Sequence, residues 1–253
     1  MQTKIKLLKM NENKDWFKHW FNSKYYHILY SNRSQREANI FIDNIISKLA
    51  LKKEHNVLDL GCGKGRHALQ LSKYFNEVDG LDLSEKSINK AKEFSKDNLQ
   101  FHMGDMREFD LKKKFSYIFN LFTSFGYFDD ISQNINVLNC CYKQLKSNGF
   151  LLIDFLNPKL IKKKITIEEN KLIDGISFQI NKSIENNHII KKISISEADK
   201  ISYFQEKVQL LDIQNFKSLF NQTGFELYKL FGDYQLNSYN ENSERLILWA
   251  QKK

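Results

Sequence analysis

Short apolar runs alternate with longer amphipathic segments through the middle of the chain. The runs have the length of strands, and the segments between them repeat apolar residues at helical spacing. We predict strands at 56–60, 78–82, 99–102, 116–121 and 149–155, and helices at 65–75, 84–95 and 130–146. Strands that alternate with helices form a parallel sheet covered on both faces, so the expected fold class is α/β with a doubly wound sheet.

The segment before this alternation has a helical pattern. Aromatic pairs such as Trp16 and Trp20 recur at i,i+4 spacing, and isoleucines form a second apolar face up to Leu49. Polar residues at 22–23 and 32–34 are expected to interrupt the helix. For Trp16, Trp20 and Phe21 we favour core packing, because an aromatic stripe at this spacing usually faces a core.

After Pro158 the apolar positions change to a period of two. The runs 176–184 and 188–195 alternate on either side of Asn186 and Asn187, which predicts a β-hairpin, and 203–211 adds a further strand. Asp212 is placed to cap a helix that ends at Thr223, before Gly224. Strands are expected at 225–233 and 244–251.

A glycine-rich turn follows the first predicted strand. Its order is Asp59-Leu60-Gly61-Cys62-Gly63-Lys64-Gly65, with the acid two residues before the first glycine. Glycine permits a sharp turn and lets a ligand approach the backbone closely. The dinucleotide fingerprint would need a third glycine where Arg66 stands, which disfavours NAD.

Two further acids stand after the next predicted strands. Asp82 lies 23 positions after Asp59, about one strand-helix-strand unit later, where an acid can accept both hydroxyls of a ribose. Asp105 is followed by the apolar Met106. Each acid taken alone could be a helix cap or a turn residue. Three acids in order at successive strand ends, with the glycine turn after the first, favour a nucleotide-type cofactor.

The spacing Asp59-x-Gly61-x-Gly63-x-Gly65 resembles the first motif of the class I S-adenosylmethionine-dependent methyltransferases. The resemblance implies that S-adenosylmethionine is the cofactor, with S-adenosylhomocysteine as product, and that the glycines border its methionine part. It also implies that Asp105 receives the adenine amino group, that Met106 covers the ring and that Asn120 lies near the sulfonium. The expected cofactor-binding residues are Asp59, Gly61, Cys62, Gly63, Gly65, Asp82, Leu83, Asp105, Met106 and Asn120.

The same resemblance covers most of residues 35–253 and implies a seven-stranded, mostly parallel sheet with an antiparallel last strand. We divide the chain into an N-terminal helical lid at 1–50, a cofactor-binding core at 51–158, a β-hairpin insertion that caps the substrate at 159–211, and the completion of the sheet at 212–253.

The acceptor is expected beside the fourth strand. The stretch 120–128 leaves that strand at the edge where ligands bind in open parallel sheets, although its aromatic residues could equally pack on the next helix. The weak candidates for acceptor contact are Tyr26, Tyr30, Tyr127 and Tyr234. No residue stands out as the catalytic base.

Composition limits the partners. The net charge is +9, but only five of the 39 basic residues are arginines and the lysines are scattered, so a nucleic-acid substrate is not favoured. No apolar stretch reaches the roughly 20 residues that span a bilayer, so we expect no membrane partner and a cytoplasmic location. The three cysteines lack metal-site spacing, and neither zinc nor a disulfide is expected.

The sequence therefore predicts a methyltransferase that acts on an O, N or C atom of a small molecule. Two alternatives stay open. An RNA or protein methyltransferase would be favoured if the lysines formed one face beside the cofactor, and a non-catalytic S-adenosylmethionine-binding module if aromatic side chains filled the acceptor space. The acceptor, the methylated atom and the oligomeric state are not determined by the sequence.

Overall fold

A computed structural model describes residues 16–31 and 34–253. The helices are α1 (Trp16–Phe21), α2 (Lys24–Leu29), α3 (Gln35–Leu49), α4 (Arg66–Leu71), α5 (Glu85–Ala91), α6 (Ile131–Gln144), α7 (Pro158–Lys164) and α8 (Ile213–Thr223). The strands are β1 (Asn56–Leu60), β2 (Glu77–Asp82), β3 (Leu99–Met103), β4 (Phe115–Asn120), β5 (Leu145–Leu156), β6 (Glu168–Ile173), β7 (Ile176–Glu185), β8 (His188–Glu197), β9 (Lys200–Gln209), β10 (Phe225–Phe231) and β11 (Arg245–Lys252).

The main sheet has seven strands in the order β10-β11-β5-β4-β1-β2-β3. Its central pairs are parallel, whereas β11 runs antiparallel to both β5 and β10. The chain therefore turns back on itself beside β1, where the strand order reverses and ligands bind in folds of this kind. The expected α/β fold with a seven-stranded, mostly parallel sheet and an antiparallel last strand is confirmed.

Two apolar cores cover the two faces of this sheet. Alternate residues of a strand point to opposite faces, so Leu58 and Leu60 belong to one core while Val57 and Phe119 belong to the other. Every residue of β1 and β4 is buried. This double coverage explains why those strands appear in the sequence as continuous apolar runs.

The insertion after β5 forms a second sheet. It contains four antiparallel strands in the order β6-β7-β8-β9. The predicted hairpin is β7 and β8, joined by Asn186 and Asn187, which both have the positive φ that such a tight turn needs. The predicted strand at 203–211 is observed as β9, whereas β6 was not predicted because its sequence Glu-Glu-Asn-Lys-Leu-Ile has no clear alternation.

Three helices form the N-terminal segment, and the predicted interruption at 22–23 is present. Ser23 caps α2 by accepting a hydrogen bond from the Tyr26 amide, and Ser34 caps α3 in the same way. Trp20 is fully buried, in agreement with its interpretation as a core residue. Part of the predicted lid, residues 1–15 and 32–33, lies outside the described residues.

Helix α8 ends as the sequence predicts. Asp212 forms a capping box with Asn215 at its start, and Gly224 follows its end with a φ of 82°. Strand β5 differs from the prediction, because it begins at Leu145 rather than 149 and pairs there with Phe115. Within the described residues, no helix has the length and apolar character needed to cross a membrane.

Candidate cofactor and acceptor site

The glycine turn is fastened to the end of the neighbouring strand β2. The amides of Gly61 and Cys62 donate to the Leu81 carbonyl at 2.7 and 3.1 Å, and the Gly63 amide donates to Asp82 Oδ2 at 2.9 Å. Gly61, Gly63 and Gly65 all have positive φ, between 55° and 84°. The backbone conformation of the turn therefore requires glycine at three places.

Packing adds a second requirement at two of these glycines. A Cβ atom on Gly61 would lie 2.8 Å from Cβ of Ser124, and one on Gly65 would lie 2.7 Å from the Phe101 ring. A Cβ atom on Gly63 would meet nothing within 4 Å. The backbone at Gly63 is thus the part of the turn that a ligand can approach.

Asp82 presents a carboxylate beside the turn. Its Oδ1 accepts from the Ser84 amide at 2.8 Å while Oδ2 accepts from Gly63. Burial raises the pKa of Asp82, and the backbone hydrogen bonds act in the opposite direction. The amides of Gly63, Leu83 and Ser84 fix the direction of the carboxylate, which keeps acceptor capacity for a ribose hydroxyl.

A cavity of about 90 Å³ lies against this carboxylate. Its walls include Asp82, Leu83, Asp105 and Met106, four of the residues expected to bind the cofactor. Aromatic side chains of the lid and of the loop after β4 complete the walls: Phe17, Phe21, Tyr26, Tyr127 and Phe128. Mainly apolar walls with a carboxylate among them suit the adenosine part of a cofactor.

Asp105 is held by Arg107. The Arg107 Nε donates to Asp105 Oδ1 at 2.9 Å and its Nη2 donates to Oδ2 at 2.5 Å. Burial alone would raise the pKa of Asp105, but the hydrogen bonds and charge of Arg107 outweigh burial, so this pKa lies below its usual range. An adenine amino group would have to share this carboxylate with Arg107.

Asp59, Gly65 and Asn120 do not line either cavity. Asn120 is buried and its Nδ2 donates to the Leu60 carbonyl at 2.9 Å. Asp59 is 1% exposed, and burial raises its pKa to about 7. These side chains support the strand ends from which the turn departs. The proximity of Asn120 to a sulfonium stays a prediction.

A larger cavity of about 520 Å³ adjoins the smaller one. Both cavities are bordered by Phe21, Tyr26, Gly61, Gly63, Ser87, Ser124 and Tyr127. The glycine turn therefore lies where the two spaces meet. A cofactor whose adenosine fills the smaller space would place its methionine part along the turn and its reactive end toward the larger space.

Three of the four tyrosines named from the sequence border the larger cavity. These are Tyr26 and Tyr30 from the lid and Tyr127 from the loop after β4. Tyr234 lies outside both cavities, because its ring packs on Phe41 at 4.3 Å and its hydroxyl donates to Asp154 Oδ2 at 3.3 Å. Burial raises the pKa of Tyr234 strongly.

The loop after β4 has a strained backbone. Phe122 and Thr123 both have a φ of 59°, which is uncommon for residues with a side chain. The Phe122 amide donates to Asp154 Oδ2 at 2.8 Å, and Arg245 donates both to Asp154 Oδ1 at 2.7 Å and to Thr123 Oγ1 at 2.8 Å. The ion pair between buried Asp154 and Arg245 thus fixes the loop that borders the larger cavity.

A second polar cluster joins the lid to the inserted sheet. Glu206 Oε1 accepts from Trp20 Nε1 at 2.8 Å and from the Tyr30 hydroxyl at 2.6 Å, while Lys191 lies 2.9 Å from Oε2. Tyr30, Lys191 and Glu206 all border the larger cavity. Sequence reasoning missed Lys191, Glu206, Asp154 and Arg245, although the acid near the end of the predicted strand 149–155 was a usable signal.

His27 borders the larger cavity from the lid. Burial lowers its pKa to about 4, and the charges of Lys64 and Lys86 act in the same direction. The imidazole is therefore neutral at neutral pH. In the part of the chain that the structure describes, no cluster of His, Cys, Asp and Glu could hold a metal ion.

Comparison with known proteins identifies a family. Residues 51–224 match the family described as "Methyltransferase domain". A dTDP-3-amino-3,4,6-trideoxy-alpha-D-glucopyranose N,N-dimethyltransferase from Streptomyces venezuelae is 29% identical over 132 residues, which are 51% of this chain and 54% of that relative. This chain thus spans about half the length of that relative.

Solved structures share the fold. An S-adenosylmethionine-dependent methyltransferase from Clostridium acetobutylicum superposes with a TM-score of 0.76 at 17% identity, covering 94% of this chain and 98% of that one. An amino pentose methyltransferase from Micromonospora echinaspora, solved with S-adenosylmethionine bound, gives a TM-score of 0.67 at 20% identity and covers 91% and 98%. The chain therefore belongs to the methyltransferase domain family, and its resemblance to the class I S-adenosylmethionine-dependent methyltransferases is confirmed.

Proposed function

We propose that this protein transfers the methyl group of S-adenosylmethionine to the amino group of a small, sugar-like molecule. The observation that carries this proposal is the cavity of about 520 Å³ that opens from the glycine turn between the lid and the inserted sheet. Its volume lies within the usual range for small-molecule sites, roughly 300 to 1,000 Å³.

The cofactor-binding roles follow from the walls of the two cavities. Asp82 is suited to accept the ribose hydroxyls, Leu83 and Met106 to cover the adenine, and the open backbone at Gly63 to lie against the methionine part. Bound S-adenosylmethionine supplies a methyl group on a sulfonium. The chain's own residues have to align the acceptor with that methyl group and exclude water.

Alignment and exclusion of water fall to the lid and the loop after β4. Trp16 and Phe21 pack against Tyr127 at centroid distances of 5.6 and 5.3 Å, so the lid closes directly over the junction of the two cavities. Asp154 and Arg245 hold the opposite wall in place. Such an enclosed junction favours in-line displacement on a molecule small enough to enter.

Charge on the walls also supports a small acceptor over a nucleic acid. Of the cations that border the larger cavity, Lys191 is paired with Glu206, Arg245 with Asp154, and Arg66 with Glu37 at 3.5 Å. The remaining lysine on that wall, Lys64, does not make a basic face by itself. The volume of the cavity argues against the non-catalytic alternative, in which aromatic side chains would fill this space.

The choice of an amino sugar rests on the relatives. The Streptomyces venezuelae relative is by its name an N,N-dimethyltransferase of a nucleotide-linked amino sugar, and the Micromonospora structure is of an amino pentose methyltransferase. In this proposal the chain keeps the division predicted from the sequence, and the insertion at 159–211 forms the cap over the substrate.

A methyl-transfer assay tests the proposal. Purified protein is incubated with S-adenosylmethionine labelled in the methyl group and a panel of amino sugars, with and without a nucleoside diphosphate, and with the matching sugars that lack the amine. We expect labelled product only from amino sugars. As a control, Asp82→Ala should reduce turnover at limiting cofactor, whereas Asp110→Ala, which alters an exposed acid that lines neither cavity, should not. Turnover of the sugars that lack the amine, or of none of the panel, would contradict the proposed acceptor.

A further inference from the structure

A polar cluster on the wall of the larger cavity is assembled from three separate elements. Tyr30 follows helix α2, Lys191 lies in β8 and Glu206 lies in β9. Lys191 Nζ lies 2.9 Å from Glu206 Oε2 and donates to the Tyr30 hydroxyl at 3.1 Å, and that hydroxyl donates to Glu206 Oε1 at 2.6 Å. The cluster forms only when the lid rests on the inserted sheet.

The cluster retains hydrogen-bonding capacity on a wall that solutes can reach. Glu206 Oε1 accepts hydrogen bonds from both Trp20 and Tyr30, whereas Oε2 contacts Lys191. Lys191 carries three N–H donors, of which the described contacts use two. One acceptor position on Glu206 Oε2 and one donor on Lys191 Nζ therefore remain side by side. The Glu206 side chain is 12% exposed and that of Lys191 is 29% exposed.

The electrostatics of the cluster select the kind of group that can use both positions. Burial alone would raise the pKa of Glu206, but Lys191, Tyr30 and Trp20 outweigh burial, so this pKa lies below its usual range and the carboxylate is ionised at neutral pH. Its charge is balanced by Lys191. The pair has no net charge, so it offers no net electrostatic attraction to an anionic or a cationic group. A neutral hydroxyl donates one hydrogen bond and accepts another, so it satisfies both.

The surroundings of the cluster are apolar. Ile189 and Val208 border the same cavity from the strands that carry Lys191 and Glu206, and Tyr26 and Trp16 border it from the lid. Apolar and aromatic walls with a few directed polar groups suit a molecule that has C–H faces and hydroxyl edges. A pyranose ring has this character.

We infer that Tyr30, Lys191 and Glu206 form an acceptor subsite that binds an uncharged hydroxyl of a sugar ring, through a hydrogen bond donated to Glu206 and one accepted from Lys191. This inference rests on the proposed function, because it describes the same cavity. It places the recognised hydroxyl at the wall formed by the inserted sheet, and it assigns the sheet a direct part in choosing the acceptor.

Saturation-transfer NMR tests the subsite with defined probes. Protein loaded with S-adenosylhomocysteine is titrated with the methyl α-glycosides of glucose, galactose and mannose. The test variant is Lys191→Met/Glu206→Gln, which removes both charges together. The matched control is Lys182→Met/Glu169→Gln, which removes an ion pair of similar length, 2.8 Å, in the same sheet but away from both cavities.

We expect at least one of the three glycosides to bind the natural protein. The test variant should bind it at least about tenfold more weakly, because Lys191→Met removes one hydrogen bond to a charged group and Glu206→Gln leaves only a weaker, neutral acceptor. The control should bind it within about twofold of the natural protein. Should the test variant fail to fold, Glu206→Gln alone decides, with an expected weakening of about threefold, because a neutral amide oxygen accepts a hydrogen bond more weakly than a carboxylate.

The outcomes separate this inference from the proposed function. If S-adenosylhomocysteine does not bind the natural protein, the proposed function fails. If it binds, but none of the glycosides does, or the test variant binds the glycoside as tightly as the control, the subsite is wrong while the proposed function stands. Where the double variant does not fold, a glycoside affinity that Glu206→Gln leaves unchanged also contradicts the subsite.

Discussion

The two cavities are built in different ways. The smaller cavity lies at the carboxyl ends of neighbouring strands, and its key polar contacts are backbone amides of the glycine turn and the carboxylate of Asp82. The larger cavity is bordered by side chains from the lid, the loop after β4, the inserted sheet and β11. The cofactor side therefore depends on the main sheet, and the acceptor side depends on how separate elements pack on one another.

This difference has a consequence for function. Changes in the inserted sheet, which lines only the larger cavity, can alter the acceptor wall without moving the glycine turn, whereas a change in the turn affects the cofactor whatever the acceptor is. One fold can thus accept a different substrate through changes in its insertion, while the cofactor-binding core stays the same. Five substitutions and one control test the contrast.

The largest expected effect is on the acceptor side. Arg245→Met leaves the fully buried Asp154 carboxylate without its ion-pair partner, and breaking a buried pair in this way costs about 3 to 5 kcal/mol. The free energy of unfolding, measured with urea, should fall by that amount. Lys112→Met, which removes an ion pair with both side chains at least half exposed, should change it by less than about 1 kcal/mol. Equal effects would show that the loop does not depend on the pair.

On the cofactor side, the two central glycines should behave differently. Gly61→Ala puts a methyl group 2.8 Å from Ser124 Cβ at a φ of 79°, so it should lower the free energy of unfolding by about 2 to 4 kcal/mol, from left-handed strain and overpacking together. Gly63→Ala meets no neighbour and should cost only the strain, about 1 to 2 kcal/mol, while it weakens binding of S-adenosylhomocysteine. Equal destabilisation by the two variants would be evidence against the packing described for Gly61.

Removal of the Asp82 carboxylate should weaken cofactor binding with little effect on the acceptor wall. We expect Asp82→Ala to reduce the affinity for S-adenosylmethionine by about 1 to 3 kcal/mol, the usual range for losing a buried hydrogen-bonding partner. Calorimetric titration measures this change. An unchanged affinity would remove Asp82 from the site.

The smallest expected effect is a pH dependence that originates behind the glycine turn. Burial raises the pKa of Asp59 to about 7, above its value in an unfolded chain, so the folded state binds this proton more tightly. Its contribution to stability is therefore present below the unfolded pKa and is lost as the pH rises toward 7. Between pH 6 and pH 8 the free energy of unfolding should fall by about 1 kcal/mol more in the natural protein than in Asp59→Asn. Identical slopes from urea unfolding at the two pH values would rule out this role for Asp59.

The cofactor side could be predicted from the sequence because its determinants are local. An apolar run, an acid and three glycines stand within a few residues of one another, and each next acid follows one strand-helix unit later. A backbone turn imposes residue types directly, because glycine adopts a positive φ at a lower energetic cost than other residues. The order of the main sheet follows from the same alternation.

The acceptor side could not be predicted in the same way, because its contacts join residues far apart in sequence. Arg245 and Asp154 are 91 positions apart, and Tyr30 and Glu206 are 176 apart. Nothing in the pattern around Glu206 separates it from the solvent-exposed acids of β-strands. Tyr234 was named from the sequence as a candidate for acceptor contact, but its hydroxyl donates to buried Asp154 instead.

The most direct test of the central claim, that the glycine turn and Asp82 form an S-adenosylmethionine site, is calorimetric titration of the purified protein with S-adenosylmethionine, S-adenosylhomocysteine and NAD. We expect S-adenosylmethionine and S-adenosylhomocysteine to bind and NAD not to bind. Binding of NAD, or binding of neither sulfur cofactor, would contradict it.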